Sequence, residues 1–423
     1  MSAIGSTTDD ALDVLLRFGA LMLRAGGTAS RTREIMEAMA RRLKLEAPSI
    51  NLTIGHVVIS ARRGSERLTA MRDVGPPGVN VACIGALERL AGGTEPATAP
   101  QIAARLTEIE ADAPHYSAWQ IVIAVGLASG GFAFLNGAGV PELAAAALGG
   151  GIGQALRSWL VRRAFTQFGT AALAAITAAA IYVLVAALAN RAGFTFSHYA
   201  AGFISTVLFL VPGVPLIAGL FDLLQHQTMA ALGRLAYGSL ILFIVASGLS
   251  IVTAFAGIEL SRQPPLELPY PLQLSLRAVA SFIAACAFAM AFNSPPRTML
   301  VAGVVALVVN SLRLVLVDAG MLLAPAAFIA ALSVGIVASL ASRRFDAQLM
   351  AIVAAPIVIM IPGLYAFEMI VLFNLGRMNE ALQASAGFVF VICALAMGLS
   401  MARLAVARKA SPMMNEPPDR RGE

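Results

Sequence analysis

Two Pro-Gly pairs, Pro212-Gly213 and Pro362-Gly363, interrupt long apolar runs, and two acids follow them, Asp222 and Glu368. Proline lacks the amide hydrogen that an interior helix position donates, so each pair frees backbone groups and exposes a half-helix N-terminus with partial positive charge. In apolar surroundings such an end suits a carboxylate. A carboxylic acid there has a raised pKa and can exchange its proton for an arriving ammonium. Asn136 and Asn293 close two further apolar runs. Their amides can bond a polar guest, or cap a helix through the left-handed conformation. His56 and Ser60 have the residue types of a base and a nucleophile. They sit in a β-branched run, where four residues span about 13 Å, so they share a face without bonding directly. No Gly-x-Ser-x-Gly elbow accompanies them. They are read as structural or regulatory, and no residue is assigned as catalytic.

The elements that must position these groups follow from composition. Of 423 residues, 58% are hydrophobic and only 13% charged, with a mean hydropathy of +0.78. Soluble domains carry about 25% charged residues, so an ordinary cytosolic enzyme and a disordered chain are both excluded. Residues 1–115 hold 13 basic and 13 acidic residues, whereas the 292 residues 116–407 hold 13 and 8. The first segment reads as a small soluble α+β domain. It has helices over 11–24 and from Ser30, a strand-like run over 49–60, a second strand over 66–74, and helices near 79–91 and 99–111. The second segment offers ten apolar spans: 118–136, 140–158, 170–189, 199–221, 235–257, 274–292, 298–317, 321–341, 347–373 and 382–405. The span 140–158 is the weakest, although Gly149-x-x-x-Gly153 suits close helix packing.

The net charge of +6 belongs to the membrane part and its tail, because the soluble segment is neutral, so no nucleic-acid partner is implied. Cys83, Cys286 and Cys393 are too scattered for a disulfide framework or a zinc site, and no metal or other cofactor is expected. With the N-terminus inside, Lys and Arg near the spans fall eleven to the cytoplasmic side and five to the outer side, which puts both termini in the cytoplasm. The chain also contains itself twice. Phe132-Ala-Phe-Leu-Asn136 matches Phe288-Ala-Met-Ala-Phe-Asn293, and Val211-Pro-Gly matches Ile361-Pro-Gly, each pair in the same span of its half. Five spans per half is odd, so the second half enters the membrane inverted, an architecture of transporters. The boundaries are a cytoplasmic domain 1–115, a first five-helix half 116–257, a proline-rich linker 258–273, a second half 274–407 and a disordered tail 408–423.

The sequence resembles the threonine/serine exporters of the bacterial inner membrane. The resemblance is carried by Ala25-Gly-Gly-Thr28-Ala-Ser-Arg31-Thr-Arg-Glu34, Gly55-His56-x-x-x-Ser60, Val79-Asn80, Val211-Pro-Gly, Asp222-Leu-Leu, Gly233-Arg234, Asn293-x-Pro-x-Arg297 and Ile361-Pro-Gly. It implies export of small hydroxy amino acids driven by the proton gradient, with protons as the coupling ion. It also implies a regulatory or structural role for Thr28, Arg31 and Glu34 beside His56 and Ser60. The partners are a small amino acid or organic acid and the lipid bilayer, with a homo-oligomer as a candidate assembly. A small dicarboxylate such as succinate is the alternative substrate. A membrane-anchored hydrolase built on the N-terminal domain is the alternative class. Pro212, Gly213, Pro362, Gly363, Asn136 and Asn293 are the candidate substrate residues, with Glu368 and then Asp222 for proton coupling. Reporter fusions test the topology: fusions after residues 115 and 405 should report cytoplasm, and fusions within 258–273 the outside. A cytoplasmic signal from 258–273 contradicts the inversion.

Overall fold

The computed structural model describes residues 8–63, 66–93, 97–112, 114–197, 199–256, 268–345 and 349–409. Most of the expected linker (258–267) and of the expected tail (410–423) therefore lies outside the described residues. The N-terminal part has the order α1 (Thr8–Arg24), α2 (Ala29–Arg42), β1 (Glu46–Leu52), β2 (His56–Arg63), β3 (Glu66–Asp73), α3 (Val81–Ala91) and α4 (Ala99–Ala111). The strands form an antiparallel sheet in the order β1-β2-β3. Leu12, Leu15, Phe18 and Met22 of α1 bury with Met36 and Met39 of α2 and with Val57 and Ile59 of β2. Alternation along β2 puts these last two on the core face and His56 and Ser60 on the other.

The run 49–60 is not one strand, as the sequence suggested, but a hairpin. The Thr53 hydroxyl accepts from the Gly55 and His56 N–H groups at 3.3 and 3.0 Å, which turns the chain despite its β-branched composition. The turn carries Ile54 toward the membrane part, where a Cβ on Gly233 would lie 2.8 Å from its side chain.

The remaining helices are α5 (Ala118–Leu135), α6 (Val140–Arg162), α7 (Gln167–Arg191), α8 (Tyr199–Ser205), α9 (Gly213–Leu224), α10 (Thr228–Ala256), α11 (Tyr270–Ala291), α12 (Pro296–Asp318), α13 (Leu323–Phe345), α14 (Leu349–Met360), α15 (Gly363–Asn374) and α16 (Met378–Lys409), with a 3-10 turn at Leu208–Leu210. Seven helices among the described residues are long and apolar enough to cross a membrane, and two bent pairs raise the number to nine. The pairs are Tyr199–Leu210 with Gly213–Leu224, bent by 65°, and Ile352–Met360 with Gly363–Asn374, bent by 40°. The chain is thus a polytopic helical membrane protein. The expected second span, α6, has the length but not the apolarity, because Glu142, Gln154, Arg157 and four glycines dilute it.

Small residues hold these helices together. Ala174 and Ala178 of α7 are buried against the glycine face of α6, and Ala175 against Gly248 of α10. A Cβ on Gly149 would lie 2.6 Å from the Ala178 carbonyl oxygen, and one on Gly153 2.8 Å from the Ala178 Cβ. Helix boundaries also repeat at fixed spacing. Leu135 and Ala291 end α5 and α11, Val140 and Pro296 start α6 and α12, and Gln167 and Leu323 start α7 and α13, all 156 residues apart. The spacing is 150 for Gly213 and Gly363, and again for Thr228 and Met378. Gly149→Leu should lower the thermal unfolding midpoint in detergent by several degrees, because overpacking costs about 1–3 kcal/mol. Gly387→Ala, where ring carbons of Tyr365 stand off at 3.6 and 3.7 Å, should leave it unchanged.

Candidate functional site

The two Pro-Gly breaks have the same backbone. Pro212 lies at φ −78°, ψ 56° and Pro362 at φ −78°, ψ 66°. Gly213 donates its N–H to the Val211 carbonyl, and Gly363 donates to that of Ile361, each at 2.8 Å. Each is an inverse γ-turn that ends one helix and starts the next. The helical pattern resumes when Leu216 donates to the Pro212 carbonyl at 3.1 Å and Ala366 to that of Pro362 at 3.2 Å. The breaks pack on each other. A Cβ on Gly213 would lie 2.6 Å from Ile361 and 3.2 Å from Val358, and one on Gly363 2.5 Å from Leu208 and 3.4 Å from Val211. The space between them is filled by these apolar side chains. On the side of the N-terminal domain, a small pocket reaches Val214 and Pro215 at the start of α9. Leu23, Gly26, Ile54, Gly78, Arg234 and Tyr237 also line it.

Asp222 is fully buried at the far end of α9. Its carboxylate stands 3.3 Å from the Arg234 guanidinium and accepts the Ser30 N–H at 3.3 Å. The Asp222 Oδ2 and Arg234 Nε atoms make no hydrogen bond, so the contact between them is a charge pair. Ser30 is the second residue of α2, whose N-cap Thr28 accepts from Arg31. Asp222 therefore supplies the anion that this helix N-terminus favours. Arg234 donates to the Gly27 carbonyl at 2.6 Å. Glu34 pairs with Arg403 of α16 at 3.2 Å, and Arg31 binds Glu34 and Glu88 at 2.8 and 2.9 Å. Glu34 thus reaches across the seam between the N-terminal and membrane parts, while Thr28 caps α2 and Arg31 pairs within the N-terminal part.

Asn293 also lies on that seam. It has φ 55°, accepts the His115 N–H at 2.8 Å and donates to the Asn80 side chain at 3.0 Å. Asn80 in turn caps α3. Asn136 caps α5 and donates to the Ser205 hydroxyl at 3.0 Å, where α8 ends. On the 156-residue register Asn136 matches Phe292, and Gly137 matches Asn293, so the two asparagines are offset by one position. The two acids are not equivalent either. Asp222 falls opposite Leu372 and Glu368 opposite Ala218 on the 150-residue register.

His56 and Ser60 do not meet. His56 pairs across the sheet with Asp73 and Ser60 with Thr69, and Ser60 accepts from Arg67 at 3.3 Å. Burial pushes the Cys83 thiol up to about 11, leaving it a protonated core residue. Two groups escaped the reading of the sequence. Glu142, 1% exposed, sits in the first turn of α6, signalled by the Pro141 before it. Asn310 is also fully buried. It donates to Ser281 at 2.8 Å and accepts from Arg313 at 2.9 Å. Arg313 also reaches the Met360 carbonyl, the last of α14, at 3.5 Å. Its spacing from Asn310 was visible in the sequence, but its position at a break was not.

Apolar helices broken in matched places, with acids and arginines held among them, define a polytopic helical membrane protein. A family model described as "Putative threonine/serine exporter" matches residues 13–256, and one described as "Threonine/Serine exporter, ThrE" matches residues 277–405. The chain belongs to the threonine/serine exporter family. A "Probable threonine/serine exporter" of Mycobacterium tuberculosis (strain ATCC 25618 / H37Rv) is 24% identical over 405 residues, which cover 90% of this chain and 74% of that protein. No solved structure matches.

The seam predicts a ranking of variants. Asp222→Ala leaves Arg234 buried without its counter-charge, a loss of about 3–5 kcal/mol. It should expose the N-terminal domain to limited trypsin digestion. Asp222→Leu combined with Arg234→Leu should be milder than either single change. Glu34→Gln, at two exposed pairs each worth at most about 1 kcal/mol, should be much milder.

Proposed function

We propose that this chain exports threonine and serine across the bacterial cytoplasmic membrane in exchange for protons, through ten crossings arranged as two inverted five-helix halves. The carrying observation is the pair of matching Pro-Gly breaks packed against each other. Fixed spacing of helix boundaries supports the repeat. Inversion is supported by which helix ends touch the N-terminal domain: α7 near its start, through Gln167, but α11 at its end, through Phe292 and Asn293. The end of α16 meets that domain through Arg403. In this reading residues 1–115 form a cytoplasmic α+β domain, 116–257 and 274–407 the two halves, 258–273 the outer linker and 408–423 a cytoplasmic tail. Both termini are cytoplasmic.

The breaks would meet the substrate near the midplane. The first residues of α9 and α15 offer positively polarised ends to its carboxylate. Glycine at 213 and 363 lets the two breaks pack directly on each other, so the route would open there only as they move apart. Asn136 and Asn293 would lie at opposite ends of the route and hold helix ends there. Glu368, half-buried in α15, is the acid proposed for coupling. It would take a proton from the outer side and release it inward as the substrate ammonium arrives. Asp222 is occupied by Arg234 and Ser30 and is better suited to docking the cytoplasmic domain.

The experiment is counterflow in proteoliposomes with labelled threonine, serine and succinate, with and without a proton gradient. Uptake of threonine or serine is expected. Uptake of succinate alone would move the substrate class to dicarboxylates, and uptake of none by folded protein would end the reading. Glu368→Gln should lose proton-driven accumulation yet retain substrate exchange. Gly213→Leu and Gly363→Leu should abolish counterflow at normal membrane levels. Accumulation against a gradient by Glu368→Gln would remove the coupling assignment.

A further inference from the structure

The search for groups not used above leads to the two arginines on corresponding membrane helices. On the 156-residue register Gln154 corresponds to Asn310 and Arg157 to Arg313. In each half, an amide three residues before the arginine accepts a hydrogen bond from it. Arg157 donates to Gln154 at 3.5 Å and Arg313 to Asn310 at 2.9 Å. Each amide also donates to a serine, Gln154 to Ser158 at 3.1 Å and Asn310 to Ser281 at 2.8 Å. Both amides are buried, 5% and 0% exposed. By position each arginine follows the buried stripe of its helix, after Ala146, Gly150 and Gly153 in α6 and after Ala302, Ala306 and Val309 in α12, with the Arg157 side chain exposed at its helix end and that of Arg313 half-buried. Among the described residues neither arginine has a carboxylate partner.

In the inverted arrangement proposed above the two lie on opposite sides. Arg157 is near the end of α6, one short loop before Gln167 at the start of α7, which accepts a hydrogen bond from Tyr237 of the cavity lining. Arg313 is near the end of α12 and reaches the carbonyl of Met360, two residues before the second break. A guanidinium inside a membrane helix is costly without an anion. Its planar fork matches a carboxylate with two parallel bonds. We propose that Arg157 and Arg313 are a matched pair of carboxylate receptors, Arg157 at the cytoplasmic mouth and Arg313 on the outer side of the paired breaks. The carboxylate passes from one to the other across the paired breaks. Gln154 and Asn310 are positioning residues that hold each fork in its plane.

This rests on the transport reading above, and the ligand chemistry, a carboxylate, is shared by amino acids and dicarboxylates. The test measures half-saturating threonine at each face, in inside-out and right-side-out membrane vesicles carrying the full chain. Lysine is the informative replacement. It serves as well as arginine for a side chain that only snorkels to lipid headgroups, but it cannot make the fork. Arg157→Lys should raise half-saturation about tenfold at the cytoplasmic face and less than about twofold at the outer face, the loss of one charge-assisted bond. Arg313→Lys should do the reverse. Gln154→Ala and Asn310→Ala should each give a smaller defect at the same face as their arginine, with the maximal rate retained. Where a variant does not assemble, wild-type competition decides. Threonine methyl ester, which lacks the carboxylate, should compete at least about tenfold more weakly than threonine. Succinate as the labelled probe separates dicarboxylate from amino acid, and the same sided shifts are expected with whichever is carried. Lysine variants equal to wild type at both faces, or an ester competing as well as threonine, overturn the receptor pair while leaving transport intact. A folded wild type that carries none of the probes overturns the transport reading and the receptor pair together.

Discussion

A backbone nitrogen without hydrogen cannot continue a helix, and inside a membrane the groups left over have no water to turn to. Pro212 and Pro362 impose this condition at two corresponding places. The chain meets it in the same way both times, with a γ-turn that occupies the carbonyl of the preceding residue and restarts the helix at glycine. Much else in the membrane part follows. The bends of 65° and 40° are the consequence of restarting a helix in a new direction. Because each glycine has no side chain, the two turns press against each other and against Leu208, Val211, Val358 and Ile361. Apolar contact closes the middle of the molecule, and the polarised helix ends lie just beside it.

Around this centre, small residues do the packing that large ones do in water-soluble proteins. Lipid competes for apolar side chains as well as protein does, so helices hold by close approach. The alanine rows of α7 against the glycines of α6 are the plainest case. The same composition costs α6 its apolarity, which is why its hydropathy falls short of a span although its length and its neighbours on both sides suit one.

The N-terminal domain is tied to the membrane part by charge and backbone as much as by apolar contact. A buried carboxylate, a buried guanidinium, the first turn of α2 and the Gly27 carbonyl neutralise one another at one place. Asn293 with Asn80, and Glu34 with Arg403, add ties elsewhere. Since Asp222 ends the helix that Gly213 begins, any movement of α9 pulls on the start of α2. The seam and the first break are joined by a single helix, the ten residues from Gly213 to Asp222, and the cavity lies beside it.

Composition alone was enough to separate a charged N-terminal segment from an apolar remainder, because lipid and water select side chains so differently. The apolar runs, the Pro-Gly breaks and the 150-residue repeat between them were legible for the same local reason. The hairpin within 49–60 was not, since a threonine side chain and a docking site on Gly233 overrode a β-branched run. Nor was the offset between Asn136 and Asn293, which look alike in sequence but occupy neighbouring positions of a helix end. Asp222 is the clearest example. In the sequence it is an acid near a helix end with Arg234 as one candidate partner, and only the fold adds Ser30, 192 residues earlier. Spacing along a helix is set by local geometry and can be counted. Which groups meet across the seam depends on how whole helices pack, and that is decided by the tertiary structure.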